Sequence, residues 1–155
     1  MRDFPECQAF VDHLRSEHKQ IRQAVVDVEH ELRAACPSCE TDRLREKLQK
    51  LSDTLAEHFK EEEQGGCLEE AVSCVPHLSP LVTQIEKAHV SILRLIHRLV
   101  ERADDCHTVD FIESFRCFAE VLHAHEVTED QVLHTAFGTG EFETDELPPA
   151  DGEQR

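Results

Sequence analysis

Hydrophobic residues repeat at three- and four-residue steps in four separate segments of the chain. This spacing predicts four helices, each with one apolar stripe. The segments run over about residues 6–34, 41–64, 79–103 and 108–137. Pro37 separates the first two, Gly65-Gly66 ends the second, and Thr108 can cap the fourth. We therefore expect an all-α fold, a four-helix bundle with a short extra helical turn at residues 68–72.

The length of the chain predicts its number of domains, and its charge disfavours some classes of partner. A chain of 155 residues predicts one domain, with residues 1–137 forming the bundle. Residues 138–155 are acidic and without periodicity, which predicts a disordered tail. The net charge of −17 disfavours nucleic acid and anionic lipid as partners. Without a membrane-length apolar run or a signal-like N-terminus, a cytoplasmic location is expected, and the oligomeric state stays open.

Six ionisable side chains interrupt the apolar stripes at positions that the pattern assigns to the core. They are His18, His58, Glu62, His89, His125 and Glu129. A buried, unpaired carboxylate or imidazolium costs several kcal/mol, so six of them need a shared partner. A metal ion provides this partner most directly, and the six residues are our candidate metal ligands.

The positions of the four histidines predict that they lie at one level of the bundle. In an antiparallel hairpin, residues equidistant from the loop face each other. The midpoint between His18 and His58 falls in the first predicted loop, and that between His89 and His125 falls beside Thr108. Each pair should therefore lie side by side across its hairpin.

An internal repeat supports the same site. Each half of the chain supplies one histidine and then His-x-x-x-Glu, which places the glutamate one turn beyond its histidine on the same face. If Glu62 and Glu129 bridge two ions, each ion receives two imidazoles and a share of both carboxylates. This mixed nitrogen and oxygen set suits iron or manganese better than a closed zinc site.

These residues resemble the hemerythrin-like domain, also called the HHE cation-binding domain, over about residues 6–137. The motifs are Glu17-His18, His58-x-x-x-Glu62-Glu63, His89 and His125-x-x-x-Glu129-Asp130. The resemblance implies an up-and-down antiparallel bundle around two iron ions with an oxo or hydroxo bridge. The four histidines would then be terminal ligands, with the two seam glutamates bridging.

The sequence departs from oxygen-carrying hemerythrins at the third helix. Those proteins have His-x-x-x-His there, whereas this chain has Ile85 at the earlier position. Asp130 fits the spacing of their last bridging carboxylate, but Glu129 lies better in the seam. Glu126 and Glu86 stay open as additional ligands. The missing histidine argues against simple reversible oxygen carriage.

The resulting hypothesis is a di-iron protein that binds or reacts with oxygen species, namely O2, peroxide or NO. It would be a peroxidase-like, catalase-like or oxidase enzyme, or a redox sensor. The alternatives are a non-catalytic module that binds oxygen or iron, and a purely structural bundle. Cys67 could approach the mouth of the site, whereas Cys36, Cys39 and Cys106-His107 are interpreted as thiols and a histidine in loops. The remaining histidines are expected at the surface or boundary.

Overall fold

The computed structural model describes residues 4–33 and 41–138, with the backbone alone for residues 4–7. Five α-helices account for most of this chain: α1 Phe4–Arg33, α2 Thr41–Gln64, α3 Cys67–Cys74, α4 Ser79–Glu101 and α5 Val109–Phe137. Two single 3₁₀ turns lie at Pro76–Leu78 and Ala103–Asp105. The described residues contain no strand, so the all-α prediction is confirmed. Cys36, Cys39 and the acidic tail beyond Gly138 lie outside the described residues.

The helices begin and end close to the positions predicted from capping residues and glycines. The hydroxyl of Thr108 accepts a hydrogen bond from the backbone nitrogen of Phe111 at 3.2 Å, which caps α5 as expected. Gly66, with φ of 75°, turns the chain after α2. α2 begins at Thr41, as the predicted segment does. The extra turn expected at residues 68–72 is longer than predicted, since α3 has eight residues.

The four long helices pack in a ring, in the order α1, α2, α4 and α5, with α5 returning to α1. α3 packs mainly against α5 and the first 3₁₀ turn. α1 and α2 run antiparallel, because later residues of α1 contact earlier residues of α2. The pairs are His13 with Glu61, His18 with His58, and Glu31 with Lys47. The same direction holds for α2 and α4: Glu63 near the end of α2 contacts His89 on α4, and Arg45 near its start contacts Asp104 in the 3₁₀ turn after α4. The complete up-and-down topology stays a prediction that these contacts support.

Two apolar clusters lie on either side of one polar level. The larger one includes Ile21, Leu55, Ile92 and Phe118, and the smaller one includes Leu14, Ile85, Val132 and Phe137. On α1 the chain passes from the smaller cluster through His18 to the larger, and α4 does the same through His89. The polar level is therefore enclosed by hydrocarbon above and below. None of the described helices has the length and apolar character needed to cross a membrane.

The cap of α5 gives a direct test of the fold. Replacing Thr108 with Ala removes the hydrogen bond to Phe111 and leaves a backbone N–H without its partner. We expect the free energy of unfolding to fall by about 1 kcal/mol, measured by urea denaturation. Ser91→Ala is the control, because Ser91 is exposed in the middle of α4 and its hydroxyl donates to the Lys87 carbonyl of the same helix. Equal effects of the two substitutions would contradict the capping role.

Candidate metal centre

The structure brings all six predicted side chains together at the polar level. Their relative exposures lie between 1% and 6%, so each is buried: His18, His58, Glu62, His89, His125 and Glu129. They form two groups of four, each with its ligand atoms within 4.8 Å of one another. One group holds His18 and His58, the other holds His89 and His125, and both groups share the two glutamates.

Each glutamate reaches toward both histidine pairs with its two oxygens. Oε1 of Glu62 contacts Nε2 of His58 and lies 3.7 Å from Nε2 of His18, while its Oε2 lies 2.9 Å from Nε2 of His89. Oε1 of Glu129 lies 3.5 Å from Nε2 of His18, and its Oε2 lies 3.3 Å from Nε2 of His125. This is the arrangement that a carboxylate needs to bridge two ions.

The oxygen and nitrogen atoms at the centre are placed to bind a cation, and most of them form no hydrogen bonds with one another. Both oxygens of Glu62 and Glu129, and Nε2 of His89 and His125, are buried without a hydrogen-bond partner. They lie near each other, yet without the alignment that a hydrogen bond requires. Such orphaned polar atoms normally cost roughly 1–3 kcal/mol each. Imidazole nitrogens with carboxylate oxygens are ligands for iron or manganese, and ion binding would satisfy these atoms together.

Two carboxylates hold the outer nitrogens of two histidines. Oε2 of Glu17 lies 2.5 Å from Nδ1 of His58, and Oε1 of Glu63 lies 3.0 Å from Nδ1 of His89. Such contacts fix the ring and direct Nε2 toward the centre. The motifs contained both glutamates, but sequence reasoning assigned neither of them this role.

Asp130 takes the corresponding position for His18. Its Oδ1 lies 3.9 Å from Nδ1 of that histidine, and its side chain is 43% exposed. The alternative that Asp130 replaces Glu129 as the bridging carboxylate is therefore not favoured, because Glu129 faces the inner Nε2 atoms.

The charges at the centre are strongly coupled. Burial by itself lowers the pKa of His18, but the nearby carboxylates of Glu129 and Glu62 outweigh it and raise that pKa to about 10. Burial by itself raises the pKa of Glu62, but three neighbouring histidines hold it well below its usual range. A proton on His18 thus offsets part of the carboxylate charge in the absence of a cation.

The two additional candidate ligands lie in different environments. Glu86 is exposed on α4 and lies in neither group of four ligand residues. The structure therefore does not support it as a metal ligand. Glu126 is 5% exposed with Oε1 unpartnered, and burial raises its pKa to about 7. In the repeat it corresponds to Phe59, whose ring stacks on His89 at 4.1 Å.

Histidines and cysteines away from the centre follow the predicted division. The histidines predicted at the surface are exposed or partly buried: His13, His30, His77, His97, His107, His123 and His134. Cys67 is buried at the start of α3, and the hypothesis that it meets an oxidant stays a prediction. Cys106 is buried near His107 and Thr41, whereas Cys36 and Cys39 lie outside the described residues.

A comparison with protein families supports the first half of this site. The family model of the hemerythrin HHE cation binding domain matches residues 1–65, which contain His18, His58 and Glu62. The resemblance carried by the motifs is confirmed over that part of the chain. No curated protein and no solved structure matches the chain.

Glu126 predicts how the stability of the metal-free protein depends on pH. Its folded-state pKa of about 7 exceeds the value of 4.5 expected when unfolded. The folded state therefore binds more protons between these pH values, and its stability falls as the pH rises. Glu126→Gln removes this contribution. From pH 5 to pH 8, we expect wild type to lose roughly 1–3 kcal/mol more than the variant.

The measurement is urea unfolding of both proteins, freed of metal by chelation, at the two pH values. Glu120→Gln, an exposed substitution on the same helix, should follow wild type. A Glu126→Gln protein with the pH dependence of wild type would show that this carboxyl is not desolvated.

Proposed function

Because residues 1–65 match the hemerythrin HHE cation binding domain, we propose that the whole described chain forms a hemerythrin-like centre that holds two iron ions. The observation that carries the proposal is the pair of shared glutamates, each with one oxygen toward each pair of histidines. Manganese is the alternative metal, since the same donors suit it.

The fold supports this proposal through symmetry. The ring of long helices and the antiparallel contacts support an up-and-down bundle, in which each hairpin would contribute one histidine pair. The second half, beyond the matched residues, places His89, His125 and Glu129 against the first half at the same level. We infer that residues 1–137 form one domain around this centre.

The chain would hold each ion with two imidazole nitrogens and one oxygen from each glutamate. Two iron ions bound in this way would supply electrons and Lewis acidity toward O2, peroxide or NO. The protein residues orient the donors: Glu17 and Glu63 fix two imidazole rings from outside, and Asp130 lies 3.9 Å from a third.

The surrounding hydrocarbon keeps bulk water from the centre. Phe59 stacks on His89 and lies edge-on to His125 at 5.4 Å, so one aromatic ring covers both histidines of the second group. A dry surrounding strengthens the interactions of charged groups inside it. We propose that a small oxygen species reacts or is sensed here, as the ligand of the same two ions.

Metal content is the decisive measurement for this proposal. Protein loaded anaerobically with ferrous ion and freed of excess should retain two irons per chain. Glu62→Ala and Glu129→Ala each remove a shared ligand, so both variants should retain at most one. His97→Ala, an exposed change on the same helix as His89, should retain two. Circular dichroism checks that every variant is helical, and wild type without stoichiometric metal would overturn the proposal.

The reaction of the iron-loaded protein with peroxide and O2 distinguishes an enzyme from a non-catalytic binding module. Peroxide consumption by the iron-loaded protein, above that of an equal amount of free ferrous ion, would support a peroxidase-like or catalase-like enzyme. A reversible change in the optical spectrum on exposure to O2, without turnover, would support a module that binds or senses oxygen. Neither response in a protein with two bound irons would exclude both versions of the oxygen chemistry.

A further inference from the structure

A second group of metal-ligating side chains lies at the surface, outside the centre. Nε2 of His13 on α1 lies 3.2 Å from Oε1 of Glu17 on the same helix, and 3.2 Å from Oε2 of Glu61 on α2. The ligand atoms of these three residues, which we call the surface group, all lie within 4.8 Å of one another. The histidine side chain is 55% exposed, so solvent and ions reach it.

Hydrogen bonding within the surface group does not satisfy both carboxylates. A ring nitrogen carries at most one proton, and Nε2 of His13 forms its hydrogen bond with Glu61. Oε1 of Glu17 is equally close to this nitrogen. Among the described residues, no lysine or arginine lies within ion-pair distance of either carboxylate. The surface group therefore carries net negative charge whether or not its imidazole is protonated.

The distances in the surface group fit a bound ion. Nitrogen and oxygen ligands lie about 2.1 Å from a small divalent ion, which places neighbouring ligand atoms roughly 3.0–3.4 Å apart. Both distances from Nε2 of His13 fall in this range. One imidazole and two carboxylates suit ferrous or manganous ion, with water at the remaining positions.

An acidic cavity of about 340 Å³ lies beside the surface group, between α1 and α2. Its lining includes the carboxylates of Glu17, Asp53 and Glu57, contains no lysine or arginine, and extends to His58, a proposed ligand of the centre. Glu17 thus belongs both to the surface group and to this cavity. Carboxylates that line a cleft raise the local concentration of cations.

The second half of the internal repeat has no such group. The positions that correspond to the surface group carry neither imidazole nor carboxylate, and they are Gln84, Ala88 and Thr128. These three residues line a cavity of about 210 Å³ beside His125, and its lining has no acidic side chain. The concentration of negative ligands is therefore a property of the first hairpin and not of the repeat in general.

We propose that the surface group binds an additional divalent cation, ferrous or manganous ion, as the first site for metal that enters the centre from solvent. Nε2 of His13 and one oxygen from each of Glu17 and Glu61 are its ligands. The other oxygen of Glu17 stays on Nδ1 of His58, so the ion lies next to a ligand of the centre. Because water reaches it, this ion is lost when excess metal is removed.

Manganous ion is the probe, because the free ion is counted by its paramagnetic resonance signal. Metal-free protein is titrated, and the bound ions are obtained by difference. Wild type should bind one ion per chain more than either His13→Ala or Glu61→Gln. The matched controls should bind as wild type: His30→Ala is an exposed change on α1, and Glu57→Gln removes the same charge one turn before Glu61.

Two results would overturn the surface site. Equal numbers of bound ions in wild type and in both surface-group variants would show that the contacts of His13 are ion pairs only. An equal loss in Glu57→Gln would show diffuse attraction by negative charge in place of a site. The difference between wild type and variants does not depend on the centre. If the centre binds no metal, wild type binds one ion and the variants none, and the proposed function fails while the surface site stands.

Delivery of metal from the surface site rests on the proposed function and has its own test. Wild type and His13→Ala are mixed anaerobically with ferrous ion, and the iron retained after removal of excess is followed in time. Both should reach two irons per chain, but His13→Ala about tenfold more slowly, because electrostatic capture speeds association. His30→Ala should load at the rate of wild type. An unchanged rate in His13→Ala would overturn the delivery role.

Discussion

The structure depends on burying six ionisable side chains between two apolar clusters. Each helix carries its polar residues to the same level, and hydrocarbon closes that level from both ends. Charged groups in such a place are tolerated only when they compensate one another or share a cation. The raised pKa of His18 and the lowered pKa of Glu62 show the first solution, in which imidazole protons offset carboxylate charge. The unpartnered oxygens of both shared glutamates favour the second.

Sequence periodicity was sufficient to place the six residues because one helix turn returns a side chain to the same face. The hairpin midpoints matched His18 with His58, whose Nε2 atoms lie 3.1 Å apart. They also matched His89 with His125, whose rings lie 4.8 Å apart. The choice of Glu129 over Asp130 followed from the same reasoning, since adjacent residues on a helix point in directions about 100° apart.

The outer contacts could not be predicted in this way. Glu17 and Glu63 lie next to ligand residues in the chain, and their role depends on side-chain rotamers and on how each helix rotates against its neighbour. Glu17 serves a histidine on another helix, as does Glu63, so no spacing within one segment reveals either contact. The length of α3 was also underestimated, because a short segment without a full apolar stripe gives little periodicity to read.

The internal repeat explains why the two histidine pairs have unequal surroundings. Where one half has Phe59 against His89, the other has the buried carboxyl of Glu126, whose charge raises the pKa of His18. Where the first half has Glu17, the second has Ala88 and a cavity. Both differences leave the group of His18 and His58 with more carboxylates around it. Negative charge near a metal ion stabilises its higher oxidation state, so two ions bound at this centre would differ in how readily each is oxidised.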